Sequence, residues 1–181
     1  MSLAPVLLLS MPQLVDPNFA RTVVLLCEHT AEGAFGLVVN RPAEATAAEA
    51  VQLDPPVTDP NDMPLLIGGP VEPYRGWILS AGPTPGPDSR PIGAGLFLSA
   101  SQDVLRGVLS ARPAPRRTAV LAGYAGWGPG QLDAELAESA WLIARVELDL
   151  IFEIPPAAVW EMAIRRLGAD PSLLQAGHGV H

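Results

Sequence analysis

Thr22-Val-Val-Leu-Leu-Cys-Glu-His29, a turn at Glu32-Gly33-Ala34, and Phe35-Gly-Leu-Val-Val-Asn40 form the stretch that decides the fold. The first run is apolar at consecutive positions, the pattern of a strand covered on both faces. The second run reads the same way, and a glycine turn between two such runs signals a hairpin. Two central antiparallel strands are expected, with Pro42 ending the second. Outward from this pair, Val6–Ser10, Leu65–Ile67, Gly76–Ser80, Thr118–Tyr124 and Trp141–Val146 read as further strands, and Leu96–Leu98 leads into a helix. Helix signals lie between them. Thr46 and Glu49 make a capping box opening a helix to about Leu53. Ser99 and Gln102 do the same for a helix with Val104, Leu105, Val108 and Leu109 on its apolar face. Pro129 opens a third helix that buries Leu132, Leu136 and Ala140. Trp160, Ala163, Ile164 and Leu167 have helical spacing, closed by Gly168. Strands and helices do not alternate strictly. The class is therefore α+β, with a mainly antiparallel, strongly curved sheet flanked by about four helices.

The 181 residues suit a single domain, 1–181, and 20 prolines point to many turns and loops. The net charge is −8 and all 11 basic residues are arginine. That balance argues against an electrostatic grip on nucleic acid, which needs clustered cations. Cys27 is the only cysteine, so no internal disulfide and no multi-cysteine metal site can form. Asp149, Glu153, His178 and His181 have no metal-ligand spacing, and no metal or cofactor is expected. The apolar start, Val6–Leu9, lacks the preceding positive charge of a secretory signal. No apolar stretch approaches the roughly 20 residues of a membrane helix. A cytoplasmic protein with no membrane association is expected.

Cys27-Glu28-His29 invites a catalytic reading. Regular strand alternation puts Cys27 and His29 on one face and Glu28 on the other, where a thiol–imidazole contact would stabilise a thiolate. The alternative is a small buried hydrophobe beside a strand-end histidine, and a free cysteine more often packs than reacts. Gly68-Gly-Pro70 follows a strand as a phosphate-binding turn does, but no lysine exists and Pro70 lacks an N–H. It reads as a structural turn.

Gly123-Tyr-Ala-Gly-Trp-Gly-Pro-Gly-Gln-Leu-Asp-Ala-Glu-Leu136 turns the chain from strand into helix, with Tyr124 and Trp127 at the corner. The free N–H groups around Gly130, Gln131 and Leu132 are an anion-site candidate, with Asp133 as competitor. Asp16, Arg21, Glu28, Asn40 and Arg41 flank the central strands and need polar partners. Asp16 with Arg21 reads as an ion pair. Glu28, a carboxylate in an apolar strand, requires a donor. Trp127, Gln131 or the helix N–H groups can supply one, which would gather Glu28, Asn40, Trp127 and Gln131 into one ligand-binding patch.

Taken together, these segments resemble the YqgE/AlgH family of bacterial proteins. The matching stretches are Ser10-Met-Pro12, Asp16-Pro-Asn-Phe19, Arg21-Thr-Val-Val24, Cys27-Glu-His29 and Gly33-Ala-Phe-Gly-Leu-Val-Val-Asn-Arg-Pro42. Further matches are Gly68-Gly-Pro-Val71, the Gly123–Leu136 segment, Ala140-Trp-Leu142 and Ala176-Gly-His178. Asp133 departs from the pattern, where glutamate is usual. The resemblance implies a bulged antiparallel sheet curled toward a barrel and flanked by helices, and no established enzyme activity. Similar proteins have been called transcriptional regulators, a label that comes with no recognised DNA-binding motif.

Three functions are open on these readings. One is a regulatory module that binds an unidentified small ligand or protein. The second is an enzyme using Cys27 or Glu28 with His29. The third, least favoured, is a direct DNA-binding regulator.

Overall fold

In the computed structural model, residues 2–11, 20–83 and 88–172 are described. The central hairpin forms as expected. Strand β2 (Val23–Thr30) pairs antiparallel with β3 (Gly33–Val38), and β1 (Val6–Ser10) lies on the other edge of β2. Chain order then runs β4 (Pro42–Thr46), α1 (Ala47–Ala50), β5 (Pro64–Ile67), β6 (Val71–Ser80), β7 (Arg90–Gly93) and β8 (Leu96–Ser99). It closes with α2 (Gln102–Ser110), β9 (Thr118–Trp127), α3 (Gln131–Ala137), β10 (Trp141–Ala144), α4 (Leu148–Phe152) and α5 (Pro156–Arg166). The strand order is β10-β1-β2-β3-β9-β6-β8-β7, with β5 attached parallel to β9 and β4 paired to β5. All other pairings are antiparallel, so the curled, mainly antiparallel α+β sheet is confirmed.

The apolar residues sort into three layers by strand alternation. Leu7, Leu9, Val23, Leu25, Leu37, Trp77, Leu79 and Leu121 point to the inner face, where Ile151, Trp160 and Ile164 of α4 and α5 cover them. Leu8, Val24, Leu26, Val38 and Trp127 point outward under α3. Ile78, Val120 and Leu65 point outward under α1 and α2. Each fully buried leucine contributes about 1.5–3 kcal/mol relative to an exposed one.

Local chemistry accounts for the helix starts. Thr46 Oγ1 accepts from the Glu49 N–H at 3.2 Å while Glu49 Oε1 accepts from the Thr46 N–H at 2.9 Å. The helix that this box opens stops at Ala50, short of the expected Leu53, because Val51 is extended. The cap of α2 is Ser101, which accepts from Val104 N–H, and not Ser99. Ser99 instead donates to Asp88 at 2.8 Å. Strand β6 starts at Val71, five residues before the expected Gly76, and Pro42 opens β4. Strands β4 and β7 and helix α4 carry no strong apolar period, and the described residues hold five helices where about four were expected.

Gly68-Gly-Pro70 is a close-packed turn. A Cβ on Gly68 would lie 2.4 Å from the Gly123 carbonyl oxygen, and one on Gly123 (φ +79°) 2.3 Å from that of Gly69. Only glycine lets these two backbones approach so closely.

Candidate functional site

Alternation along β2 breaks at Cys27. Leu26 faces Gly36, and the next pair is Glu28 with Phe35, so two residues of β2 span one step of β3. This bulge leaves Cys27 and Glu28 on the same, inner face. His29 emerges on the outer face, where its Nε2 lies 3.1 Å from Asp133 of α3. Its Nδ1 accepts from the Leu3 N–H at 3.2 Å, so the neutral ring carries its proton on Nε2. Cys27 therefore shares its face with Glu28 and not, as expected, with His29, while the expected separation of His29 from Glu28 holds. No thiol–imidazole pair forms. Cys27 is buried, its Sγ lies 3.5 Å from the Leu25 carbonyl, and burial pushes its pKa up to about 12 against a smaller opposing pull from Arg90.

Glu28 instead lines an open cleft of about 360 Å³, together with Phe35, Arg75, Trp77, Arg90 and Tyr124. The carboxylate is half-exposed and forms an ion pair with Arg90 at 3.5 Å, so its partner is an arginine at the rim and not a buried indole. Three rings build the wall. Phe35 lies 5.2 Å from Trp77 and 5.0 Å from Tyr124 between centroids, and Trp77 stands edge-on to Tyr124 at 6.3 Å. The Arg75 guanidinium lies over the Trp77 ring at 4.5 Å, a cation–π contact. Arg75 has no ion pair among the described residues. Tyr124 donates to Glu72 at 2.7 Å, and this bond to a carboxylate raises the phenol pKa. The Trp77 Nε1–H is buried with no acceptor among the described residues.

The rim of the cleft is a second irregularity. Val71 pairs with Tyr124 and Gly76 with Ala122, so Glu72–Arg75 bulge out opposite the single residue Gly123. Glu72 takes a left-handed conformation there (φ +44°), and Tyr74 is 98% exposed.

Trp127 lies on the opposite face from Glu28. Its Nε1 donates to Glu135 Oε1 at 2.9 Å, and Trp141 donates to the same oxygen at 2.8 Å. Gln131 donates to Glu135 Oε2 at 3.2 Å and accepts from the Gly128 N–H. The expected patch of Glu28, Asn40, Trp127 and Gln131 does not assemble, because the bulge turns Glu28 away from the α3 side. Asn40 ties the chain entering β2 to the end of β3, accepting from Val23 N–H and donating to the Arg21 carbonyl. Arg21 pairs with Glu161 at 3.0 Å and lies over Trp160. Asp16, its expected partner, lies outside the described residues, as does His178. The α3 start, the anion-site candidate, has its polar groups engaged within the chain. It is a seven-residue helix whose Asp133 and Gln131 are engaged with His29, Gly128 and Glu135.

Of the expected residues, the cleft thus unites Glu28 and Tyr124. It adds Phe35, Arg75, Trp77 and Arg90, which the sequence reading left as strand or loop residues. One signal bears on them: Arg75 and Trp77 are two apart in sequence and such side chains share a face in a strand, but the expected strand began only at Gly76. Among the described residues no group of acidic, histidine and cysteine side chains is arranged to hold a metal ion, and no helix is long and apolar enough to cross a membrane.

Comparison with known proteins gives the same fold and the same sequence pattern. The AlgH-like family model matches residues 7–172. A UPF0301 protein of Methylococcus capsulatus is 42% identical over 177 residues, covering 95% of this chain and 94% of that protein. One from Anaeromyxobacter dehalogenans is 42% identical over 186 residues, covering 98% and 94%. The solution structure of the AlgH protein from Pseudomonas aeruginosa superposes with a TM-score of 0.78 at 37% identity, covering 94% of this chain and 92% of that one. A crystal structure of a Corynebacterium diphtheriae protein shares the fold at a TM-score of 0.70 and 22% identity, covering 95% and 89%. With the family model spanning both the bulged hairpin and the glycine-rich corner, the chain belongs to the AlgH-like, or YqgE/AlgH, family.

Proposed function

We propose that this protein is a non-enzymatic binding module of regulatory character in the cytoplasm, and that the cleft between β2, β3, β6, β7 and β9 receives its ligand. The carrying observation is the aromatic wall of Phe35, Trp77 and Tyr124 with Arg75 beside it, which pairs with no carboxylate among the described residues. A concave wall of apolar rings with a few convergent polar groups is the usual build of a small-ligand site. The enzyme reading weakens on geometry. Cys27 is a buried neutral thiol, and His29 works on the other face of the sheet. Direct DNA binding weakens on charge, because Arg21, Arg90, Arg112, Arg117 and Arg166 are each engaged by a carboxylate of the same chain.

The test is a thermal-stability screen against a panel of cell metabolites, run on the native protein and on Glu28→Trp. A ligand that binds only the folded state raises its stability. The substitution fills the cleft from a half-exposed position, so the expected stabilisation disappears with it. A panel that stabilises nothing, or stabilises both proteins equally, removes the cleft as the site.

A further inference from the structure

We infer that the cleft selects a planar ring carrying a carboxylate or phosphate. This rests on the reading of the cleft as the binding site. The wall presents ring faces and edges from Phe35 and Tyr124, which favour a flat partner stacked or edge-on. The donors gather at the same place. Arg75 lies over Trp77 at 4.5 Å with no carboxylate partner among the described residues, and its planar fork of N–H groups matches an oxyanion. Arg90 is the second cation. Its contact with Glu28 is long, at 3.5 Å, and both side chains are 52% exposed, so the pair is easily opened. The other nearby carboxylate, Glu72, is occupied by the Tyr124 hydroxyl.

The alternatives fit less well. A neutral ring would leave the Arg75 donors unmatched. A compact anion with no ring would leave the aromatic faces in water. A cationic ligand would face Arg75 and Arg90 and meet Glu28, a carboxylate already paired with Arg90. The volume, about 360 Å³, accommodates a bicyclic ring with its acid group.

The experiment is a titration of the full-length protein, followed by NMR of the tryptophan indole N–H resonances. The probes are sodium naphthoate, naphthyl phosphate, the neutral naphthamide and the non-planar cyclohexane carboxylate. Naphthoate or naphthyl phosphate should shift the Trp77 indole resonance and leave those of Trp127 and Trp141 in place. The stronger of the two identifies the acid group. Naphthamide and cyclohexane carboxylate should each bind at least about tenfold more weakly. Arg75→Gln should weaken the planar anion by about tenfold or more, whereas Arg116→Gln, an exposed arginine that does not line the cleft, should not. Equal binding of naphthamide and naphthoate overturns the anion requirement while the cleft remains a site. Equal binding of cyclohexane carboxylate overturns the planar one. If no probe moves the Trp77 resonance, the inference fails. The cleft itself stands or falls with the metabolite screen on the native protein and Glu28→Trp.

Discussion

Trp127 and Trp141 meet edge to face at 6.1 Å and hand their indole N–H groups to one oxygen of Glu135. The carboxylate thereby pins α3 to two strands that are far apart in the sheet, β9 and β10. Glu135→Ala leaves two indole donors without their acceptor. It should cost about 2–4 kcal/mol, since an orphaned buried donor costs about 1–3 kcal/mol. Glu135→Gln keeps one oxygen acceptor and should cost about half as much or less. Urea unfolding of both variants measures the difference. Trp127→Ala should cost about 3–5 kcal/mol, as large aromatic truncations in a core do.

The approach of the Gly68-Gly69 turn to Gly123 makes a second prediction. Gly123→Ala drives a methyl against the Gly69 carbonyl oxygen at 2.3 Å in a left-handed backbone, with no flexible neighbour to yield. Destabilisation of more than about 2 kcal/mol is expected, from strain and steric displacement together. Gly107→Ala in the middle of α2 meets nothing within 4 Å. It should stabilise by about 0.5–1 kcal/mol through helix propensity. Thermal unfolding of the two variants should move in opposite directions.

Cys27 should be inert in the folded protein. Burial raises its thiol from an ordinary 9.0 to about 12, so almost no thiolate exists near neutrality. Labelling by a thiol reagent should be slow across neutral pH and become fast only in denaturant. The linkage has a definite sign. The unfolded thiol loses its proton at lower pH than the folded one. This contribution to stability is complete below pH 9.0 and declines as pH rises toward about 12. Rapid labelling that is flat from mildly acidic pH upward would contradict the buried, neutral assignment.

The Arg166 guanidinium joins the start of α4 to the end of α5, with N–O distances of 2.7 Å and 2.9 Å to Asp149 and 2.6 Å to Glu147. Its hydrogen bonds hold the Asp149 carboxyl below the ordinary 3.8. A depressed carboxyl stabilises the fold above its unfolded value and loses that effect as pH falls through the folded one. All partners are partly exposed, so Arg166→Met should cost only about 1 kcal/mol or less near neutrality. The gap between wild type and variant should close as pH drops below 3.8.

Binding to duplex DNA should be absent at physiological salt, and any interaction in dilute buffer should fade steeply with added salt. Fluorescence anisotropy with mixed-sequence and palindromic duplexes checks this. Tight, sequence-selective binding would overturn the proposed module.

The central hairpin was legible because consecutive apolar residues leave no other stable arrangement, and the Thr46–Glu49 box was legible because its chemistry is local. The residues of β4 and β7 were not. Each contains a proline and small or polar side chains, and each becomes a strand only by pairing with β5 or β8. The largest error came from one inserted residue. A face assignment by parity holds only while alternation is unbroken, and the bulge at Cys27–Glu28 exchanges the faces of everything after it. Regular alternation would turn Glu28 toward the α3 side; the bulge sets it on the inner face with Phe35, Trp77 and Tyr124, so the grouping with Trp127 expected from its need of a donor does not form. Glu28 is half-exposed, so it does not need the buried donor expected for it, and its ion-pair partner, Arg90, is brought to it by a pairing of sequence-distant strands.

β9 pairs with β3 and β5 along one edge and β6 along the other, and β1 waits for β10. A ribosome must therefore release the chain to Trp127 before the hairpin of β2 and β3 meets its neighbour, and to Ala144 before the outer edge of β1 is covered. Through most of synthesis the nascent chain carries open strand edges of leucine and valine, which invite wrong pairing. Slow, late-closing folding with a need for chaperone shelter is the consequence, and a truncation just short of β10 should aggregate although nearly all of the sheet is already present.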